Sequence, residues 1–329
     1  LRQVLKEYVE RTIRPLPEVN VPKETTVAVI EKEMDVHDIS IGQYATQLPK
    51  FKPQILKTSH HYLNNRRNFI NTINQVYKEF NDRKFPTNQF SESFDIMEHQ
   101  KTVRNYINTW TPYHGLLLYH NLGAGKSCTS ISVTEGMKST KKVYVLLPAS
   151  LKTNYWAELQ KCGNLLYRQN QYWEFVSVQG KPELVPVLAK ALNMSTIQIQ
   201  KKKGAWMVDS QKEPNFSSLS SENQMAVQEQ IIHMINKKYI PIHYNASNLQ
   251  KIVSEYSAAY NNLFDNSVVV IDEAHNFVTK IVNNLKQKKK TSPYVKLYEK
   301  LLSAKNARIV MLSGTPIIND PHEISVMFN

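Results

Sequence analysis

Three short stretches carry residues whose types and spacing suit the handling of a phosphate. The first is His120-Asn121-Leu122-Gly123-Ala124-Gly125-Lys126-Ser127, which follows an apolar run and precedes a helix-like segment. Glycines let backbone N–H groups approach phosphate oxygens, a helix N-terminus adds a favourable dipole, a lysine reaches the outer phosphates, and a serine hydroxyl can ligate magnesium. His120 stands where the strict form of such a loop has its first glycine, and in isolation the stretch also reads as a glycine-rich turn with a solvated lysine. The second stretch is Asp272-Glu273-Ala274-His275, at the end of the apolar run Val268–Ile271. Phosphoryl transfer to water needs one carboxylate to hold the metal's hydration shell and another to orient or deprotonate the attacking water. Asp272 and Glu273 are the candidates, the alternative being a helix start with favourable acids in its first turn. The third is Ser313-Gly314-Thr315-Pro316 after Ile309–Leu312, which alone would be an ordinary turn.

These residues need a frame, and the chain supplies one. Leu116–Tyr119, Val143–Leu147, Phe175–Val178, Val268–Ile271 and Ile309–Leu312 are short, rich in Val, Leu and Ile and, but for Ser177, continuously apolar, as strands buried on both faces are. Segments between them, such as Ser127–Met137 and Ser150–Gln160, suit crossover helices, so the expected class is α/β with a mainly parallel sheet. Ligands in such sheets bind at the carboxyl ends of strands, and the three stretches are expected to converge on one edge. From about 193 to 265 the strand rhythm stops; a Lys201-Lys202-Lys203 run, the capping signal Ser221-x-x-Gln224 and the pattern Val227, Ile231, Met234, Ile235 predict a helical insertion. Residues 1 to about 90 predict an accessory segment, partly helical, with stripes at Leu1, Val4, Leu5, Tyr8, Val9 and at Phe69, Ile73, Val76, Phe80.

Composition bounds the rest. At 329 residues, 41% hydrophobic and 21% charged, the chain is folded and large enough for one big domain plus an accessory piece. No run approaches the ~18 apolar residues of a membrane helix. Two cysteines, Cys128 and Cys162, exclude a disulfide scaffold and suit a reducing compartment. A net charge of +13 makes a polyanion the first partner to test. Two acid-free stretches contribute. The one between Asp38 and Glu79 holds Lys50, Lys52, Lys57, Arg66, Arg67 and Lys78, and is either a solvated face or a nucleic-acid surface. The one between Glu273 and Glu299 holds Lys280, Lys286, Lys288, Lys289, Lys290 and Lys296, and is either a solvated loop or a DNA-facing one. His60, His61, His99, His114 and His120 lack a partner set at metal-ligand spacing. Trp110, Trp156, Trp173 and Trp206 suit packing better than base stacking. Cys128 reads as a small buried packing residue, although its place just inside a helix could perturb the thiol.

The ordered set GAGKS, DEAH and SGTP, with Pro148-Ala149-Ser150-Leu151 after the second strand, resembles the first RecA-like domain of a superfamily 2, DEAH-box helicase or translocase, over about residues 91 to 329. NNRRNF, HQKTVRNYI, PYHGLLLYHNLGAGKS, PASLKTNYWAEL, VVVIDEAHNFV and MLSGTPIIND are similar to the helicases of nucleocytoplasmic large DNA viruses, most of all to the poxvirus early transcription factor small subunit type. That likeness reaches upstream to about Asn64 and includes the insertion, through GAWMVDSQKEPNF and the stretch around Tyr239 to Asn245.

The resemblance implies roles residue by residue. Gly123, Ala124, Gly125, Lys126, Ser127 and Cys128 would form the nucleotide-binding motif I, and Asp272, Glu273 and His275 motif II, with Lys126, Asp272, Glu273 and His275 catalytic. Ser127 and Asp272 would hold magnesium, and Gln100 would contact adenine, the alternative being an ordinary exposed helix position. Ser313 and Thr315 would form motif III, coupled to the nucleotide through His275, whose alternative is to cap local backbone. Pro148, Ser150, Leu151 and Lys152 would hold nucleic-acid phosphates without reading bases. His120, Ser127 and Gly314 depart from many relatives, yet none removes a required chemical group. The implied cofactors are ATP and magnesium. The implied setting is a virion and the host cytoplasm, and the implied partners are double-stranded DNA, a viral RNA polymerase or a second transcription-factor subunit, with no membrane. The chain opens on Leu1 and stops at Asn329, which reads as a domain cut from a longer polypeptide, and the resemblance implies a second RecA-like domain supplying arginine fingers. Alternatives are a promoter-binding, polymerase-recruiting factor whose ATPase is secondary, and an RNA helicase.

Overall fold

Runs of Val, Ile and Leu without a charge between them build the frame, and a computed structural model shows how. It describes residues 97–328 apart from 110, 112, 121–124, 139, 260 and 261, together with 67, 70 and 71. The accessory segment's two apolar stripes, almost all of its acid-free stretch, Trp110, Gly123 and Ala124 lie outside the described residues. In chain order the elements are α1 (Glu98–Tyr106), β1 (Gly115–Tyr119), α2 (Lys126–Met137), β2 (Lys142–Leu147), α3 (Lys152–Cys162), β3 (Tyr172–Ser177), α4 (Leu184–Leu192), α5 (Thr196–Lys201), β4 (Gly204–Asp209), α6 (Ser221–Lys238), β5 (Tyr239–His243), α7 (Leu249–Ala259), β6 (Ser267–Ile271), α8 (Ala274–Lys286), α9 (Pro293–Leu302), β7 (Arg308–Ser313) and α10 (His322–Phe328).

Five strands pair in the order β1-β7-β6-β2-β5, all parallel. Parallel strands need crossovers, and the crossovers cover both faces with helices. Because successive side chains on a strand point to opposite faces, β2 feeds two cores. Val143, Val145 and Leu147 join one with Ile131, Val133 and Met137 of α2 and Leu159 of α3. Tyr144 and Leu146 join the other with Phe277 and Ile281 of α8 and Leu297 of α9. The expected α/β class with a mainly parallel sheet is what the chain adopts, and it is consistent with a RecA-like helicase lobe.

Two expectations change. Phe175–Val178 was to be a strand of the main sheet; instead β3 pairs antiparallel with β4 in a separate two-stranded sheet. Its burial sets it apart from the central strands: Trp173 and Val176 are buried, but Glu174, Phe175 and Ser177 are exposed, so neither face is enclosed along its length. The stretch 193–265 holds the helices α5, α6 and α7, but also β4 and β5, and β5 is an edge strand of the main sheet. Pro241 within β5 is compatible with an edge, where one side of the backbone needs no ladder partner. The second basic stretch is no loop for most of its length: it runs through α8 and into α9, Lys286 pairs with Asp320, and Lys280 lies over the Tyr294 ring at 5.4 Å. No helix among the described residues is long and apolar enough to cross a membrane.

At the amino ends of the strands, buried cations pin the loops. Lys141 Nζ donates to the Asn306 carbonyl at 2.5 Å and to Asn266 Oδ1 at 3.3 Å. Arg308, 5% exposed, donates to the carbonyls of Asn108 at 3.1 Å and Thr111 at 2.8 Å, which fixes the turn after α1 against β7.

Candidate functional site

The phosphate-loop residues sit where β1 hands over to α2. Gly125 holds φ +73°, a left-handed conformation that glycine adopts freely. A side chain there would also press on Gln100, because a Cβ would lie 3.0 Å from Gln100 Nε2. Gln100 is 1% exposed, so it is not an ordinary surface position; its Oε1 accepts the Met97 N–H at 3.1 Å, which leaves its amide beside the loop. Lys126 opens α2, and its Nζ donates to the His120 carbonyl at 3.0 Å. The same Nζ lies 3.2 Å from where a Cβ on Gly314 would sit, so the small residue after Ser313 is what lets the ammonium approach the third stretch. His120 Nδ1 is buried without a hydrogen-bond partner, and burial, His99 and Lys126 all push its imidazole below the usual histidine range. Behind Lys126 and Ser127, α2 is buried through Cys128–Thr134; Thr129 donates to the Gly125 carbonyl at 2.9 Å and Ser130 to that of Ser127 at 2.7 Å, whereas Ser132 Oγ is buried without a partner.

The acidic pair ends β6. Asp272 is 8% exposed, and burial, then the Glu273 charge, push its carboxyl up to about 6, while the Glu273 N–H at 3.0 Å and the Lys126 charge pull it back. A carboxylate that stays costly to ionise beside Lys126 lacks countercharge. A carboxylate oxygen and the Ser127 hydroxyl are both hard oxygen donors, the chemistry that magnesium takes. Glu273 caps α8 at φ +46°, ψ +52°, a left-handed position that costs a non-glycine residue about 1 kcal/mol or more. Tyr244, buried just past β5, holds this turn: its hydroxyl lies 3.1 Å from the Asp272 carbonyl and 3.2 Å from that of Glu273. His275 then reaches across to the third stretch, with Nδ1 2.9 Å from Ser313 Oγ and 3.5 Å from Glu273 Oε2. Ser313 Oγ also accepts the Thr315 N–H at 3.0 Å.

Three distant stretches therefore share one corner at the carboxyl ends of β1, β6 and β7. Lys126, Gly125, Gln100, Asp272, Glu273, His275, Ser313 and Thr315 are linked through it by the contacts above. Cys128 is committed elsewhere: its side chain is paired with Cys162, so only its backbone N–H remains for a phosphate. Pro148, Ser150, Leu151 and Lys152 lie at the neighbouring strand end, in the turn between β2 and α3. There Ala149 N–H donates to Asn245 Oδ1 at 2.9 Å, and Lys152 Nζ lies 5.4 Å from the Trp156 ring centre. The sequence likeness takes in the stretch around Tyr239 to Asn245 but assigns no role to Tyr244 and Asn245, which adjoin β5 and touch the acidic turn and the β2 turn respectively. The signal that could have found them is a tyrosine and an asparagine directly after an apolar pentapeptide, the usual place for ligand-end residues in a parallel sheet. Trp156, Trp173 and Trp206 are buried, in line with packing roles.

No family model matches the chain. It is 28% identical, over 81% of its length, to a candidate ATP-dependent RNA helicase of Acanthamoeba polyphaga mimivirus, of which the match covers 40%. It is 23% identical over 79% of its length to a candidate helicase of Invertebrate iridescent virus 3, covering 22% of it. Its relatives include viral helicases. A further match, at 24% identity over 65% of the chain and 22% of the relative, is to the termination factor NPH-I homolog of African swine fever virus. The chain thus spans 40% or less of the length of these relatives.

Proposed function

We propose that this chain is the nucleotide-binding lobe of an ATP-hydrolysing, nucleic-acid-dependent motor of the large-DNA-virus helicase type. The observation that carries the reading is the shared corner: a lysine at a helix N-terminus, a carboxylate pair of which Asp272 is buried and Glu273 half-buried, and a histidine–serine contact, contributed by three separated stretches. Gly123, Ala124 and Gly125 would offer backbone N–H groups to phosphate oxygens, and Lys126 would exchange its carbonyl partner for the outer phosphates. Gln100 would meet the base with its amide. Ser127 and Asp272 would hold magnesium, which when bound neutralises phosphate charge. Glu273 would accept the proton of the attacking water, and the strained turn under it would aim the carboxylate. His275, hydrogen-bonded to Ser313, would carry the nucleotide state to Thr315 and the strand end.

The nucleic acid would run past the turn between β2 and α3, held by Ser150, Lys152 and the N–H groups around Pro148 and Leu151. We take double-stranded DNA in early viral transcription as the setting, on the resemblance to the early transcription factor type. The mimivirus relative's name supports a second reading, an RNA helicase. Titration of the chain with magnesium and ADP tests the core claim: binding is expected in the micromolar range or tighter, and lost in Lys126→Ala. A wild-type chain that binds no nucleotide would sink it. In the whole protein, stimulation of turnover by duplex DNA or by RNA decides between the two readings. A promoter preference that survives Glu273→Gln would instead favour a recruiting factor with a secondary ATPase.

A further inference from the structure

One residue past Ser127 lies a cluster that the nucleotide reading does not use. Cys128, in the first turn of α2, and Cys162, at the last position of α3, are each 7% exposed and paired, with Cα atoms 5.4 Å apart, inside the range a disulfide spans. Glu158 stands over the pair, its Oε2 3.1 Å from Cys128 Sγ and 3.7 Å from Cys162 Sγ. Its other oxygen accepts from Lys161 Nζ at 3.1 Å, and its side chain is 34% exposed, so this carboxylate connects the buried sulfurs to solvent. Two thiols and one carboxylate are the whole set of candidate metal ligands gathered there among the described residues, and structural zinc takes four ligands. The group therefore suits sulfur chemistry better than a metal.

We propose that Cys128 and Cys162 form a reversible disulfide, made and broken by exchange with small-molecule thiols and disulfides, that ties the first turn of α2 to the last turn of α3. In the reduced state both thiols face Glu158 as hydrogen-bond donors. Oxidation by a small disulfide RSSR breaks its S–S bond and the two S–H bonds and forms the Cys128–Cys162 bond. The protein loses two electrons and two protons, and the reagent leaves as two RSH. Glu158 can take each proton in transit and keeps Lys161 and solvent when the donors are gone. The tie joins the helix that begins with Lys126 and Ser127 to the helix that begins with Lys152. The tie restrains the turn of α2 that carries Lys126, whose ammonium must leave the His120 carbonyl to reach a phosphate, and restraint of that turn is the proposed reason for weaker nucleotide binding by the oxidised form. That consequence rests on the ATPase reading, whereas the bond does not.

The test uses the chain equilibrated with oxidised and reduced glutathione mixtures. Intact mass is expected to fall by two hydrogens in the oxidised form, and the melting temperature to rise by roughly 5–10 °C. Both changes should reverse with reductant and be absent in Cys162→Ser. Mixed adducts that never resolve to the internal bond, or one tightly held zinc ion per chain lost in Cys162→Ser, would overturn the proposal, and wild-type protein suffices for the mass and melting readouts should that variant fold poorly. A fluorescent ADP analogue separates the two claims. Weaker binding to the oxidised form, by about threefold or more, supports the clamp, equal binding in both forms overturns its effect on the phosphate helix, and no binding in either form overturns the ATPase reading while leaving the bond standing.

Discussion

The amino and carboxyl ends of the same parallel sheet treat buried charge in opposite ways. At the amino ends, Lys141 and Arg308 are buried, and although burial pulls both below their usual values, each is held by several hydrogen bonds to carbonyl and amide oxygens of the loops they pin. At the carboxyl ends, Asp272 is buried with its carboxyl pushed up to about 6, Lys126 has a carbonyl partner at 3.0 Å, and His120 Nδ1 has none. A buried charge with every partner supplied by its own chain is structural; one left short of partners keeps capacity for something that arrives later. The difference separates what holds the sheet together from what the sheet is for.

The comparison predicts that substitutions at the two ends fail in different assays. The largest effect falls on hydrolysis. Glu273→Gln removes the proposed proton acceptor and keeps the shape, so turnover of the whole protein should drop about 100-fold or more while its melting temperature holds. Equal activity would remove Glu273 from the chemistry. Arg308→Met is the mirror case. It removes the guanidinium bonds to the Asn108 and Thr111 carbonyls, and chemical denaturation should report a loss of about 2–4 kcal/mol. Nucleotide affinity should stay unchanged; a loss there would mean that the two ends are not separable.

How much of this was legible in the sequence follows from the same division. The convergence at the carboxyl ends was readable because the proposed chemistry would need particular residues in a particular order: Lys126 after glycines, then Asp272 and Glu273, then Ser313 and Thr315. The strands β1, β2, β6 and β7 were readable because burial on both faces demands unbroken apolar runs. β5 escaped because α6 runs directly into it at Lys238 and Pro241 argues against a central strand, so an edge position looked like the end of a helical stretch. β3 was seen and misassigned, since a four-residue, mostly apolar run does not state its partner. The pins were invisible: Lys141 and Arg308 find carbonyls more than a hundred positions away, and nothing local distinguishes them from surface bases. The Cys128–Cys162 pairing was equally hidden, because two cysteines 34 residues apart announce no contact until α2 and α3 pack.

Two smaller effects sharpen the contrast at the ligand end itself. Asp272→Asn removes a charge that burial makes costly, so the nucleotide-free protein should gain up to about 2 kcal/mol of stability even as turnover is lost. Thermal melting without magnesium checks it, and a destabilised variant would mean that the carboxylate is satisfied by its own chain after all. Tyr244→Phe is the finest probe, since it deletes one hydroxyl that faces the Asp272 and Glu273 carbonyls and leaves the ring packed against Phe277. Its cost should be about 1 kcal/mol in stability. If the hydroxyl also aims Glu273 by holding the left-handed turn, turnover should fall several-fold at unchanged nucleotide affinity. A stability loss with full turnover would place Tyr244 with the pins, as a residue that holds the sheet and not the chemistry. The kcat-against-KM split is what distinguishes the two, because a loosened turn misdirects the carboxylate without altering the phosphate loop that binds the nucleotide.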